Sequence, residues 1–171
     1  ILLVICLSSN IVGTVAKTNT SVQTSKSATA NKDIKGMEKV TKTEKEWKEE
    51  LTPEQFAVTR QCCTEIPFTG KYNNWKEKGL FKCVCCGAVL FDSNHKFDSG
   101  SGWPSFWDAA KTENIEKRED NSLGMQRVEV LCKQCQAHLG HLFTDGPPPT
   151  RQRYCINSAA LKFEEKNSKV T

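Results

Sequence analysis

Hydrophobic and polar positions change character three times along this 171-residue chain. Residues 1–7, ILLVICL, form an unbroken apolar run that is too short to span a membrane. Small and polar residues follow, ending in Thr14-Val15-Ala16. This pattern predicts a signal peptide over 1–16 cut after Ala16, and Ile1 in place of Met predicts a start that is missing. The competing reading is a buried strand that opens the domain, but polar sequence follows at once. Residues 17–43 are rich in Ser, Thr, Lys and Asn and contain no aromatic side chain. Such a stretch cannot bury enough surface to offset its ordering entropy, which predicts a disordered linker.

From residue 44 the pattern becomes that of a folded domain, expected to run to 165 and leave a tail over 166–171. Thr52-Pro53-Glu54-Gln55 is a helix start, with Thr as N-cap, Pro at the first helical position and Gln in the capping-box position. The helix is predicted to run to about Arg60. Beyond it the spacing is that of short strands. Leu80–Val84 and Ala88–Phe91 are predicted strands joined around Cys85-Cys86-Gly87. Gln126–Leu131 and Arg153–Phe163 are predicted strands as well. Asp108–Glu119 is predicted to contain a short helix. Gly100, Gly102, Gly146 and Pro147-Pro148-Pro149 mark loops.

Composition narrows the class. Hydrophobic residues make up 37% and charged residues 26%, and the formal charge of +4 comes from mixed signs rather than a basic block. That excludes a polyanion-binding surface, so no nucleic-acid partner is expected. No apolar run reaches the length of a spanning helix, so no membrane partner is expected either. Nine cysteines are the unusual feature, and an odd count cannot close into disulfides completely.

Four of them form two C-x-x-C pairs, Cys83 with Cys86 and Cys132 with Cys135. Two residues between cysteines let both sulfurs face one centre, and two such knuckles supply the tetrahedral thiolate set of a structural zinc ion. Two disulfides or a redox pair are the alternatives. Paired knuckles favour one structural Zn²⁺ with no open position, although 45 residues separate the pairs and tertiary folding must join them. Of the remaining cysteines, Cys155 has the most telling surroundings. On a strand, Arg153, Cys155 and Asn157 share one face and Tyr154 and Ile156 the other. A cation beside a thiol favours the nucleophilic thiolate. His138 and His141 follow the second knuckle and suit proton transfer with a cysteine. His95 is expected at the surface. In the loop 98–107, Trp103 stands between Gly102 and Pro104, where an indole can wall a small pocket, whereas Phe106 and Trp107 read as packing residues.

Together these motifs resemble those of the methionine-R-sulfoxide reductases of the B type. The resemblance rests on TPEQFAVTR (52–60), the two knuckles, FDSGSGWPSF (97–106), GMQRVEVLC (124–132), AHLGHLFTDGP (137–147) and RYCINSAALKF (153–163). It implies a mainly β fold, two antiparallel sheets with a few short helices around a structural zinc. It implies Cys155 as the nucleophile that becomes a sulfenic acid, and His138 and His141 as the groups that orient the sulfoxide oxygen or its water and supply a proton. Trp103 then packs against the substrate methyl group, and Asp145, Arg153 and Asn157 support the site. Thioredoxin or a similar dithiol is the implied reductant. The chain departs from the resemblance at Ser101, where many members carry a resolving cysteine, at Cys62-Cys63 before Thr64-Glu65, and at Arg151.

With Ser101 unable to resolve, Cys63 is expected to do so with Cys62 as substitute, the alternative being direct reduction by an outside thiol. A monomer is expected. The signal segment implies the secretory pathway, as an endoplasmic-reticulum or secreted protein, with a mitochondrial address as the alternative. A zinc-knuckle binding module without catalysis would need neither Arg153-Tyr154-Cys155 nor the histidine pair. A zinc nucleobase deaminase would need an H-x-E triplet that neither His138 nor His141 begins.

Overall fold

The computed structural model describes residues 39–166. The signal segment, most of the linker and the end of the tail therefore lie outside the described residues. Helix α1 (Glu44–Glu50) is closed by a Thr43/Glu46 capping box and buries Trp47. Helix α2 (Pro53–Gln61) starts as its sequence dictates: the Thr52 hydroxyl accepts from the Gln55 N–H, and the Gln55 side chain accepts from the Thr52 N–H. It ends at Cys62 in the left-handed conformation (φ 55°).

Strands β1 (Gly79–Cys83) and β2 (Val89–Asp92) form a hairpin around the first knuckle. Then come the two-residue strands β3 (Lys96–Phe97) and β4 (Ser105–Phe106), then β5 (Ile115–Asp120), β6 (Arg127–Cys132), β7 (His138–Phe143), β8 (Arg153–Ile156) and β9 (Leu161–Glu165). They make two antiparallel sheets, one of three strands in the order β2-β1-β9 and one of six in the order β3-β4-β8-β7-β6-β5. Aromatic rings join the sheets. Phe91 of the small sheet stacks on Phe106 of the large one at 4.5 Å and meets Tyr154 at 5.5 Å, while Phe81 meets Phe106 edge-on at 5.1 Å. Tyr154 and Ile156 face this core, so the alternation of β8 turns Cys155 to the other side.

Two expectations are corrected and one is refined. Arg153–Phe163 is not one strand: β8 and β9 belong to different sheets and are separated by a 3₁₀ turn, Ser158–Ala160. The break has a cause in Glu65, whose buried carboxylate accepts the Ser158 N–H at 2.7 Å and the Ala159 N–H at 2.9 Å, taking those donors out of any ladder. The short helix expected within Asp108–Glu119 is a 3₁₀ turn, Thr112–Asn114, and the edge strand β5 follows it. Its charged positions lie on an exposed edge, where alternation carries little hydrophobic signal. His95 is half-buried rather than at the surface, with its ring 4.2 Å from that of Trp107.

Candidate active site

The two knuckles repeat one backbone design. The Gly87 N–H donates to the Cys83 carbonyl and the Cys83 N–H to that of Ala88; the Gln136 N–H donates to Cys132 and the Cys132 N–H to Ala137. Gly87 (φ 77°) and Gln136 (φ 58°) occupy the same left-handed position after their last cysteine. The turns bring Cys83, Cys86, Cys132 and Cys135 together with all sulfurs within 4.8 Å of one another. The Cys83–Cys135 sulfurs are 3.6 Å apart and the Cys86–Cys132 sulfurs 3.5 Å. A tetrahedron with metal–sulfur bonds of about 2.3 Å has edges of about 3.8 Å, so four thiolates so placed fit a zinc ion. Cys85 stands outside the group.

The second centre lies on the large sheet, on the face away from the core. Register sets it: Cys155 of β8 is opposite His141 of β7 on one side and Ser105 of β4 on the other, and His141 is in turn opposite Glu129 of β6. Residues directly opposite in antiparallel strands share a face. His138 and His141, three apart, would fall on opposite faces of a regular strand. A bulge between β6 and β7 pairs Leu131 with His138 and Val130 with Gly140, so Leu139 is an extra residue and both imidazoles come to one side, 5.5 Å apart. Gly140 sits where β7 presses on β8; a Cβ there would be 2.0 Å from the Cys155 carbonyl oxygen.

Cys155, His141, Asn157, Trp103 and Thr64 line a cavity of about 130 Å³ together with Arg127 and Phe143. The Trp103 Nε1–H donates to the Glu65 carbonyl at 3.1 Å, which fixes the indole. Asn157 follows the end of β8 rather than continuing it. Its Nδ2–H donates to the Leu139 carbonyl and its Oδ1 accepts the Glu65 N–H. Arg153 does not line this cavity: it makes two 2.9 Å hydrogen bonds to Asp145, and its guanidinium lies 4.4 Å above the Phe143 ring. His138 is buried behind His141, with its Nδ1 2.6 Å from Glu129 Oε1. His141 Nε2 lies 2.8 Å from Asp120 Oδ2, and Asp120 also pairs with Arg127 at 2.6 Å.

Electrostatics corrects one expectation. Burial pushes the Cys155 thiol up, and the Ser101 hydroxyl and Arg153 only partly counter it, so the resting group is a thiol and not an Arg-stabilised thiolate. Burial also lowers His141, with Arg127 and His138 acting the same way against Asp120, so this imidazole is neutral near pH 7. Burial works against the Asp120 charge, but hydrogen bonds from Ser122 and His141 and the Arg127 cation hold its carboxyl well below the usual range. The hydrogen bond to His138 is the main cause that lowers Glu129.

Ser101 Oγ is 3.8 Å from Cys155 Sγ and belongs to a chain of hydroxyls through Ser99 to Ser105. The position is therefore next to the thiol and occupied by a group that cannot form a disulfide. Cys63 is 1% exposed, so its sulfur is not presented at the surface of the described residues. Cys62 is free and exposed, and its Sγ is 3.8 Å from Glu129 Oε1. Strand β7 lies between Glu129 on β6 and Cys155 on β8, so Cys62, beside Glu129, stands apart from the half-buried thiol.

Sequence reasoning missed Arg127, Glu129, Asp120 and Glu65. The alternation Arg127-Val128-Glu129-Val130 in a predicted strand puts both charges on one face and was a usable signal. Asp120 on an edge strand and Glu65 in a loop carried none.

A SelR domain model matches residues 51–165. The protein named "Peptide methionine sulfoxide reductase MsrB" from Hahella chejuensis is 56% identical over 127 residues, 74% of this chain and 91% of that one. Its namesake from Acinetobacter baylyi is 53% identical over 137 residues, 79% of this chain and 99% of that one. The same name belongs to a Leptospira interrogans protein, 53% identical over 126 residues, 74% of this chain and 96% of that one.

Proposed function

This chain belongs to the SelR-domain family of MsrB peptide methionine sulfoxide reductases, and from that premise we infer that it reduces peptide methionine-R-sulfoxide to methionine. The observation that carries the site assignment is the register of β7 and β8, which sets His141 opposite Cys155 beside a cavity also lined by Trp103.

Cys155 Sγ attacks the sulfoxide sulfur. The proton it gives up passes through neutral His141 to the sulfoxide oxygen, which supports a relay role for that imidazole. The S–O bond then breaks, methionine leaves, and the oxygen stays on Cys155 as a sulfenic acid: one thiol and one sulfoxide become one sulfenic acid and one thioether. Trp103 walls the side where the methyl group rests. His138, held by Glu129, and Arg153, held by Asp145, position their neighbours. Asn157 ties the end of β8 to β7 through Leu139.

A second thiol condenses with the sulfenic acid, water leaves, and thioredoxin or a similar dithiol reduces the disulfide. Cys62 is the candidate for that thiol, because it is free and on the same face. Reaching Cys155 requires the loop after α2 to move, so direct reduction by an outside thiol is the competing route. Zinc in the four-cysteine group would be structural, one ion per chain; the sulfur spacing supports it. The chain is expected to act as a monomer. The apolar segment 1–16 supports entry to the secretory pathway, with a mitochondrial address as the alternative.

Turnover of each sulfoxide epimer in a peptide, with dithiothreitol as reductant, tests this reading. The R epimer alone is consumed, and Cys155→Ser abolishes the reaction. Equal rates on both epimers, or an active Cys155→Ser protein, would overturn it.

A further inference from the structure

Away from the four-cysteine group, the structure assembles a second constellation of metal-ligating atoms. Cys62 Sγ, a Glu129 carboxylate oxygen and a His138 ring nitrogen all lie within 4.8 Å of one another. They come from three places: the left-handed end of α2, the middle of β6 and the bulged start of β7. We propose that Cys62, Glu129 and His138 form a second, exchangeable site for a divalent transition metal such as Zn²⁺.

Distances support it. A tetrahedral zinc site sets a ligating nitrogen and oxygen about 3.4 Å apart and a sulfur and oxygen about 3.6 Å apart. Here His138 Nδ1 and Glu129 Oε1 are 2.6 Å apart, and Cys62 Sγ and the same oxygen 3.8 Å. An ion entering between them needs the carboxylate to draw back from the imidazole by about 0.8 Å. The donor set is also right in kind. Thiolate, carboxylate and neutral imidazole neutralise a dication and mix sulfur, oxygen and nitrogen in the way zinc accepts.

The placement of Cys62 adds weight. An imidazole–carboxylate pair needs no thiol to be satisfied, yet Cys62 holds a left-handed conformation (φ 55°) that normally favours glycine, and from there its sulfur meets the pair. The thiol is exposed and lines an open cleft of about 360 Å³, which leaves the fourth position to water or a small ligand. Three cations line the same cleft, and each is engaged elsewhere: Lys42 is paired with Glu50. Arg118 is bound to Glu116 and Gln136, and Arg60 to the Cys135 carbonyl.

An ion here draws Glu129 and His138 away from the neighbouring His141 and removes the thiol that recycling would use. The site is therefore placed to halt the reductase when free metal rises.

The test reads metal and thiol rather than sulfoxide reduction, so its failure is distinct from failure of the reaction assignment. The full chain is zinc-loaded, freed of loosely held metal, kept reduced with a phosphine and titrated with Co²⁺. Wild type should take up about one further ion per chain with a thiolate-to-cobalt charge-transfer band, and Cys62→Ser should bind it at least about tenfold more weakly without that band. In wild type, Zn²⁺ should slow iodoacetamide labelling of Cys62, mapped by peptide mass, by at least about tenfold. No further uptake, the same band in Cys62→Ser, or labelling unchanged by Zn²⁺ would each overturn the proposal.

Discussion

Replacing Gly140 by Ala is a small change with a large expected effect. The added methyl would lie 2.0 Å from the Cys155 carbonyl oxygen and 3.0 Å from Ile156 Cα, both of them backbone atoms. Carbon and oxygen rest about 3.5 Å apart, so β7 and β8 must separate by about 1.5 Å. At that distance the ladder around Gly140 and Ile156, and the bond from the Asn157 N–H to the Leu139 carbonyl, no longer hold. Two backbone hydrogen bonds at about 1 kcal/mol each, plus about 1–3 kcal/mol of overpacking strain, give a loss of about 3–5 kcal/mol. The same shift misplaces Cys155 from His141 by about 1 Å, which can cost about a hundredfold in rate. Thermal unfolding and kcat/KM on a methionine-R-sulfoxide peptide, measured on the same preparation, should both fall. A Gly140→Ala protein with unchanged Tm and kcat/KM would show that the contact between β7 and β8 does not set the site.

The other expectations concern separate parts of the molecule. Ser101→Cys puts a thiol beside Cys155, and stoichiometric sulfoxide should then yield a disulfide between positions 101 and 155 in peptide maps; its absence would refute the proximity argument. Cys132→Ser removes one of the four clustered thiols proposed to hold zinc, and elemental analysis should find no metal in a protein that has lost cooperative unfolding. Acid should destabilise the fold: His141, lowered from 6.5, and Asp120 and Glu129, lowered from their usual values, all bind more protons unfolded than folded. Their stabilisation is therefore present above those ordinary values and lost as pH falls through the folded ones, beginning near 6.5 for His141. Glu65, raised from 4.5 by burial, runs the other way and loses its contribution as pH rises above about 4.5, so Glu65→Gln should remove that downward slope from a stability–pH curve measured by denaturant.

Much of the fold was legible where a local rule decides the outcome. Thr52-Pro53-x-Gln55 set the start of α2, two C-x-x-C pairs marked the four-cysteine group, and alternation around Cys155 gave its face. The misses share a different origin. The break after Ile156 depends on a carboxylate 93 positions away from Ser158, and the single face shared by His138 and His141 depends on a bulge against β6. Neither leaves a trace in local periodicity. The thiolate expected beside Arg153 failed for a related reason: Asp145 occupies the guanidinium, and burial of the sulfur is a property of the assembled sheet.

The order of the strands also bears on how the chain is made. All four knuckle cysteines have left the ribosome once residue 135 is out, whereas β8 and β9 occupy 153–165. Until those last strands arrive, β1 lacks its second neighbour, β4 has no link to β7, and Cys155 has no imidazole opposite it. A growing chain can thus bring its four knuckle cysteines together before β8 has joined the sheet, and the reactive sulfur is set in place only when that strand pairs with β7.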